Sequence, residues 1–91
     1  MPRVKLSGYI MVPETDLFAV TEELGNHIAL TRAEEGCLVF EVSQDADNPL
    51  RFNVYEEFDC AESFQYHQNR VQASTWGQVT ASVERYYTIE Q

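Results

Sequence analysis

The sequence predicts an α+β fold whose elements follow one another in the order β-α-β-β-α-β. Three observations predict this order. Alternating apolar and polar side chains mark a strand near the amino terminus. Two apolar runs of strand length then flank the turn-forming residues 45–49, Asp-Ala-Asp-Asn-Pro, which is the pattern of a β-hairpin. Apolar residues at helical spacing precede and follow the hairpin, and strand-forming residues end the chain.

The composition suits one small folded domain over residues 1–91, with 44% apolar and 12% aromatic residues. Six basic and fifteen acidic residues give a net charge of −9, which repels nucleic acid and anionic membranes, so we expect neither as a partner. No apolar run approaches the roughly 18 residues of a membrane span. We therefore expect a soluble, cytoplasmic protein. Cys37 and Cys60 form no CxxC pair, which predicts free thiols and no metal site.

The first half of the chain contains a strand and a helix. The strand is predicted over residues 3–12 from its alternating pattern, and Pro13 ends it. A helix is predicted over residues 14–33 because apolar residues recur there at helical spacing: Leu17, Val20, Leu24 and Ile28. Gly36 is expected to terminate the helix by adopting a positive φ.

The second half begins with the hairpin strands, predicted over residues 37–44 and 50–58. A long helical region over residues 60–85 follows, with a break near residues 69–74. The aromatic and β-branched residues that follow predict a last strand over residues 86–90.

These elements predict a ferredoxin-like fold, in which a four-stranded antiparallel sheet carries both helices on one face. The opposite face is then left bare. In this chain it is expected to carry several apolar side chains: Tyr9, Met11, Cys37, Val39 and Tyr55. Such a face is too apolar for water, so we predict that a second copy of the chain covers it in a homodimer.

The two histidines are the candidate catalytic residues. His27 flanks the apolar stripe of the first helix, and His67 lies three residues after Phe64 and four before Val71 on the second. Both rings are predicted to face the space between the helices and the sheet. A histidine there can accept a proton from an acidic phenol or enol. The alternative for each ring is a buried histidine whose nitrogen bonds a backbone carbonyl.

Other residues near the histidines are candidate substrate contacts. Arg70 lies three residues after His67 and is suited to bind an anionic group, although a pair with a surface carboxylate explains it equally simply. Arg32 is a second candidate cation. Trp76 is either the wall of a pocket for a flat ligand or a core anchor. Tyr55 and Phe52 point to opposite faces of their strand, so only one of them lines the pocket, and the pattern leaves open which.

Several short segments occur in a recognisable order: His27, Glu34-Glu35-Gly36-Cys37, Phe40-Glu41-Val42, Arg51-Phe52, Tyr55-Glu56 and Ala61 to His67. Together they resemble the antibiotic biosynthesis monooxygenase superfamily over roughly residues 4–89. The resemblance implies a dimeric α+β barrel. It also implies one of several activities: cofactor-free oxidation of aromatic polyketides or quinols, haem degradation, or processing of a phosphorylated signalling sugar.

Differences at particular positions indicate which members of the superfamily the chain resembles. Val54, Phe58 and Phe64 stand where the polyketide enzymes carry Asn, Trp and Tyr. Trp76-Gly77 stands where the haem-degrading members carry an axial histidine, and Ser7 or Gly8 where they carry an Asn. The resemblance therefore favours the quinol-oxygenase and signal-processing members.

Three functions follow as hypotheses. The first is a monooxygenase without metal, flavin or haem, in which His67 or His27 deprotonates a small aromatic or quinol-type substrate and O₂ oxidises the anion. Arg70 or Arg32 would stabilise negative charge, and four rings would enclose the substrate: Phe40, Phe52, Phe64 and Trp76. The second is an isomerase of a small carbonyl or enol compound, possibly phosphorylated. The third is a non-catalytic, dimeric ligand-binding module.

Overall fold

The computed structural model describes residues 2–91 of the chain. The strands are β1 (Val4–Met11), β2 (Cys37–Gln44), β3 (Arg51–Phe58) and β4 (Glu84–Glu90). The helices are α1 (Leu17–Arg32), α2 (Ala61–Gln72) and α3 (Thr75–Val79), and a 3₁₀ turn at Glu14–Asp16 precedes α1. The predicted α+β, ferredoxin-like order is confirmed, with one additional short helix before the last strand.

The four strands form one antiparallel sheet in the order β2-β3-β1-β4. The hairpin between β2 and β3 is set by its turn residues, because the Asp45 carboxylate accepts hydrogen bonds from the backbone N–H groups of Asp47 and Asn48. Side chains of this type stabilise tight turns by bonding the backbone a few residues on. The predicted hairpin is therefore present, with its turn where the sequence places it.

The core lies between the helices and one face of the sheet. Its buried cluster consists of Ile10, Val12, Val20, Phe52, Trp76 and Val83. Because side chains alternate along a strand, the residues between these on β1 and β3 point to the other face, on which none of the helices within residues 2–91 packs. Among residues 2–91, no helix is both long and apolar enough to cross a membrane.

The long second helical region was predicted with the wrong extent, although its break is confirmed. Helix α2 ends at Gln72, and α3 begins at Thr75. Ser74 separates them because its hydroxyl accepts a hydrogen bond from the backbone N–H of Gly77 and so caps α3. The chain then pairs with β1 from Glu84 onward, which begins the last strand earlier than predicted.

The predicted orientation of Cys37 is wrong. A β-bulge between Cys37 and Val39 adds one residue to β2, and Cys37 consequently pairs with Phe58, whose side chain is buried under the helices. Cys37 therefore lies on the helix side of the sheet rather than on its bare face. Both cysteines are free thiols, as predicted.

Gly36 is required for a reason other than the one predicted. Among residues 2–91 only Gly8 has a positive φ, of 147°, so Gly36 does not end α1 through a left-handed conformation. Instead, a Cβ atom at Gly36 would collide with the side chain of Ser63 on α2. Gly36 therefore permits the close approach of α2 to the end of α1.

A pair of glycine substitutions tests this packing. We expect Gly36→Ala to lower the free energy of unfolding by about 1–3 kcal/mol, because it overpacks the contact with Ser63. Gly25→Ala is the control: a Cβ at Gly25 meets nothing within 4 Å in the middle of α1, so it is expected to raise the same free energy by about 0.5–1 kcal/mol. Urea unfolding followed by circular dichroism measures both. Equal stability of the two variants would contradict this account of Gly36.

Candidate active site

Both histidines are buried between the helices and the sheet, as their helical spacing predicts. The side chains of His27 on α1 and His67 on α2 have 4% and 3% relative exposure. The His27 ring stacks on Trp76 at 4.4 Å between centroids and 3° between planes, and it meets the edge of Phe40 at 5.2 Å. The two histidine rings are 6.1 Å apart. Aromatic rings in mutual contact thus fill the space in which the sequence predicts a pocket.

A carboxylate holds the His67 ring in place. Glu34, in the turn between α1 and β2, has its Oε2 atom 3.1 Å from Nδ1 of His67. Arg70 donates to the same Oε2 atom through Nε at 2.6 Å and to the hydroxyl of Thr31 at 3.0 Å. Because a carboxylate accepts hydrogen bonds, we assign the ring proton to Nδ1, which leaves Nε2 with a free lone pair.

Glu56 lies on the other side of the His67 ring. Its Oε1 atom is 3.9 Å from Nε2 of His67, and the Glu56 side chain has 8% relative exposure. Glu56 extends from β3 toward the helices, in the alternating series that also buries Phe52, Val54 and Phe58. Burial, together with the negative charge of Glu34, raises the pKa of Glu56 to about 7. This carboxyl group therefore exchanges its proton near neutral pH.

The two histidines differ in their electrostatic environment. Burial, together with the nearby charges of His67 and Arg70, lowers the pKa of His27 to about 3. Burial also lowers the pKa of His67, but the hydrogen bond and negative charge of Glu34 oppose that shift. His27 is therefore neutral across the physiological range, whereas Glu34 favours the protonated form of His67.

A cleft of about 560 Å³ opens between the end of α1 and the beginning of α2. Glu34 and Arg70 line it, so it lies against the outer side of the carboxylate that bonds His67. Leu30 and Tyr66 form apolar parts of its wall, with 46% and 62% relative exposure. The cleft is large enough for a small ring compound, in the lower part of the usual size range of ligand pockets.

Comparison with known proteins assigns the family. The family model described as antibiotic biosynthesis monooxygenase matches residues 3–78. This chain belongs to the antibiotic biosynthesis monooxygenase family. No curated protein matches its sequence.

Solved structures agree with the family in fold. A protein from Nitrosomonas europaea, provisionally described as an antibiotic biosynthesis monooxygenase, is 24% identical with a TM-score of 0.82, covering 99% of this chain and 97% of its own. A Deinococcus radiodurans protein with the same provisional description is 19% identical with a TM-score of 0.74, covering 99% and 91%. PA3566 from Pseudomonas aeruginosa is 22% identical with a TM-score of 0.76, covering 100% and 92%. At these identities the likeness shows the fold alone.

In this family member, several of the predicted site residues come together. Phe40 and Trp76 contact His27, and Arg70 reaches His67 through Glu34. Trp76 also belongs to the buried core, so it serves as the core anchor that the alternative interpretation describes. Arg70 pairs with a carboxylate, but with the buried Glu34 rather than with a surface residue.

The remaining predicted residues lie apart from this cluster. Phe52 belongs to the hydrophobic core, and Phe64 packs edge-on against Phe58. Arg32 donates two hydrogen bonds to the backbone carbonyl of Phe40. Tyr55 lies on the opposite face of the sheet, where its hydroxyl bonds Glu57. The structure thus answers which side of β3 faces the histidines: that of Phe52. The roles of these residues in binding substrate stay predictions.

Sequence analysis missed the two carboxylates of the cluster. Glu56 is given no candidate role from the sequence, although this residue shares the even-numbered positions of β3 with Phe52 and Val54. That alternation was the signal that identifies Glu56 as buried. Glu34 carries no such signal, because it lies in a turn whose path only the packing of α1 against α2 determines.

The low pKa of His27 makes the free energy of unfolding depend on pH in the acidic range. Because the pKa in the folded protein lies below its unfolded value of 6.5, this contribution to stability is present above pH 6.5 and is lost as the pH falls toward 3. Between pH 6.5 and about pH 4.5, His27 is expected to lower the free energy of unfolding of the wild type by about 2–3 kcal/mol. We expect this loss to be absent from His27→Phe, which keeps a ring on Trp76. Chemical unfolding at both pH values gives the difference. A stability difference between wild type and variant that does not change with pH would contradict the buried, neutral state of His27.

Proposed function

We propose that this protein is a monooxygenase that deprotonates a small, uncharged aromatic hydroxy compound and allows O₂ to oxidise the resulting anion. One observation carries the proposal: His67 is buried and bonded to Glu34, which Arg70 holds at the wall of a cleft of about 560 Å³. A carboxylate at the wall of a cavity, held in place by a buried histidine and an arginine, is positioned to accept a proton from a bound hydroxyl group. The family membership of the chain supports the same class of reaction.

The cleft supports a particular binding mode. The apolar side chains of Leu30 and Tyr66 suit the faces of an aromatic ring, and the Glu34 carboxylate suits the hydroxyl group of that ring. A proton leaving this hydroxyl passes to the Glu34 carboxylate, which the Nδ1–H group of His67 orients through the 3.1 Å contact with Oε2. Arg70 offers positive charge beside the anion that forms.

The anion supplies the electrons, so this reaction requires no cofactor. In a substrate with an acidic CH₂ group, such as an anthrone, loss of a proton gives a carbanion that reduces O₂ and forms a C–O bond. The carbon loses four electrons in passing from CH₂ to C=O, and O₂ gains four. One oxygen atom becomes the carbonyl and the other leaves as water, which balances atoms and electrons.

The charge of the cleft favours an uncharged substrate over an anionic one. Glu34, Glu35 and Glu62 line it against one cation, Arg70, which is already bonded to Glu34. Arg32 is also engaged, by the carbonyl of Phe40. An isomerase of a phosphorylated compound needs a free arginine for its anionic group, so these contacts support the oxygenase over that alternative.

Oxygen consumption tests the proposal. A panel of quinols and anthrones is expected to yield a compound whose addition starts O₂ uptake. We expect His67→Gln to lower kcat by about 10²- to 10⁴-fold, because it removes the imidazole that orients the proton-accepting Glu34 carboxylate. Gln72→Ala, at an exposed position near the end of α2, is the control and keeps the wild-type rate.

Two outcomes would contradict this function. Conversion of an enol or carbonyl compound without O₂ uptake would identify an isomerase. Binding of ring compounds in the cleft, with no turnover of any panel member, would identify a ligand-binding module.

We also propose that the protein is a homodimer formed through the sheet face that bears no helix. On this face Tyr9 stacks on Tyr86 at 4.9 Å, and the guanidinium group of Arg51 lies 3.8 Å from the centre of the Tyr9 ring. Tyr86, which pairs with Tyr9, has 46% relative exposure. Large exposed apolar side chains beside a bare sheet favour burial against a second copy. The dimer and a cytoplasmic location are both part of the proposal.

Analytical ultracentrifugation tests the dimer. We expect a mass twice the 10.5 kDa of one chain, and a halved mass for Tyr55→Lys, which places a positive charge in the middle of the bare face. Phe18→Lys is the control, because Phe18 is 69% exposed on α1, away from that face. A wild-type mass of one chain at all concentrations would rule out the dimer.

A further inference from the structure

Glu56 occupies a position that costs stability. Its carboxyl group lies on the helix side of β3, between Val54 and Phe58, where every other inward side chain is apolar. Its Oε1 atom is buried and has no hydrogen-bond partner among residues 2–91. An unpaired polar atom in a core costs on the order of 1–3 kcal/mol, and an apolar residue there would avoid that cost. A group kept at such a cost is a candidate for function.

The environment of Glu56 contains ionisable groups from several elements. Glu34 and Arg70 lie beyond the His67 ring, and Cys37 and Tyr87 come from β2 and β4. Burial raises the pKa of Cys37 and that of Tyr87, the latter to about 12, and the negative charge of Glu56 adds to both shifts, so neither group exchanges a proton with Glu56 near pH 7. His67 is therefore the exchange partner of Glu56 within reach.

The three side chains form a continuous series across the helix layer. Glu34 lies at the cleft, His67 lies behind it, and Glu56 lies at the sheet. Nδ1 of the ring carries the proton toward Glu34, and the lone pair of Nε2 faces Glu56 at 3.9 Å. A shortening of this distance by about 1 Å would give a direct hydrogen bond.

We propose that Glu56 is the proton store of this site and exchanges protons with a ligand in the cleft through His67 and Glu34. In the outward direction the Glu56 proton moves to Nε2 while the Nδ1 proton moves to Oε2 of Glu34. One O–H and one N–H bond break, one N–H and one O–H bond form, and no electrons are transferred. The reverse movement carries a proton from the ligand into the core.

This inference rests on the proposed function, because a proton store is useful where a substrate is deprotonated and an oxygen intermediate is then protonated. It also explains two features that the first proposal leaves unused, namely the buried carboxyl group of Glu56 and the orientation of Nε2 away from the cleft. Glu56 acts through His67 and touches no substrate.

Nuclear magnetic resonance on the ligand-free protein tests the exchange directly. The ¹³C shifts of the glutamate carboxyl groups and the ¹⁵N shifts of the His67 ring are followed from pH 4.5 to pH 9. In the wild type we expect one carboxyl group to titrate near neutral pH and the His67 Nε2 shift to change at the same pH. Both changes disappear in Glu56→Gln, which keeps the size of the side chain.

Glu57→Gln is the matched control. Glu57 is the next residue of β3 but lies on the opposite face, bonded to Tyr55, so both changes persist in this variant. Two results would overturn the inference: no carboxyl group of the wild type titrates above pH 6, or the neutral-pH change of His67 survives in Glu56→Gln.

Kinetics separates this inference from the proposed function. With a substrate that consumes O₂, Glu56→Gln is expected to lower kcat by about 10²-fold or more and to abolish the limb of the pH–rate profile near neutral pH, whereas Glu57→Gln keeps both. If Glu56→Gln keeps the wild-type kcat and pH–rate profile, Glu56 is not a proton store, and the oxygenase proposal is unaffected. If Glu56 and His67 titrate together but no compound causes O₂ uptake, the oxygenase proposal is wrong and the proton exchange between Glu56 and His67 is retained.

Discussion

The carboxylate of Glu34 is the interaction on which the site depends. A single oxygen atom of this residue accepts hydrogen bonds from Arg70 at 2.6 Å and from His67 at 3.1 Å, and so joins the turn after α1 to two successive turns of α2. Because Glu34 has 6% side-chain exposure, it would be an isolated buried charge without these partners. The contact therefore fixes the position of α2, the tautomer of His67 and the wall of the cleft together.

Close packing makes this contact possible. Gly36 leaves room for Ser63, which allows α2 to approach the end of α1 and brings Arg70 within reach of Glu34 and Thr31. On the sheet side, the stack of His27 on Trp76 and the edge contact with Phe40 fill the volume beside His67. Two histidines in adjacent positions consequently have different chemistry: the ring without a polar partner is neutral, and the ring bonded to Glu34 can share a proton.

The two faces of the sheet serve different purposes. The buried polar series Glu34, His67 and Glu56 lies between the helices and one face of the sheet, within an otherwise apolar layer. The other face carries polar and aromatic side chains, including the Tyr9–Tyr86 stack, which no element among residues 2–91 covers. The acidic residues are spread along the whole chain, and three of the cleft-lining residues are glutamates: Glu34, Glu35 and Glu62. The proposed reaction site and the proposed association surface thus lie on opposite sides of the four strands.

By itself, the sequence determined the order of the elements, the hairpin turn and the inward orientation of both histidines. These depend on local periodicity and turn chemistry, which neighbouring residues specify. The alternation of β3 also indicates that the Glu56 side chain is buried, although a charged residue is not expected at a buried position. Only the tertiary structure decided that Glu34 lies beside His67, because 33 residues separate them and the packing of two helices brings them together. The bulge that turns Cys37 inward, the end of α2 at Gln72 and the filling of the expected pocket were likewise decided in three dimensions, since each results from contacts between segments distant in the chain.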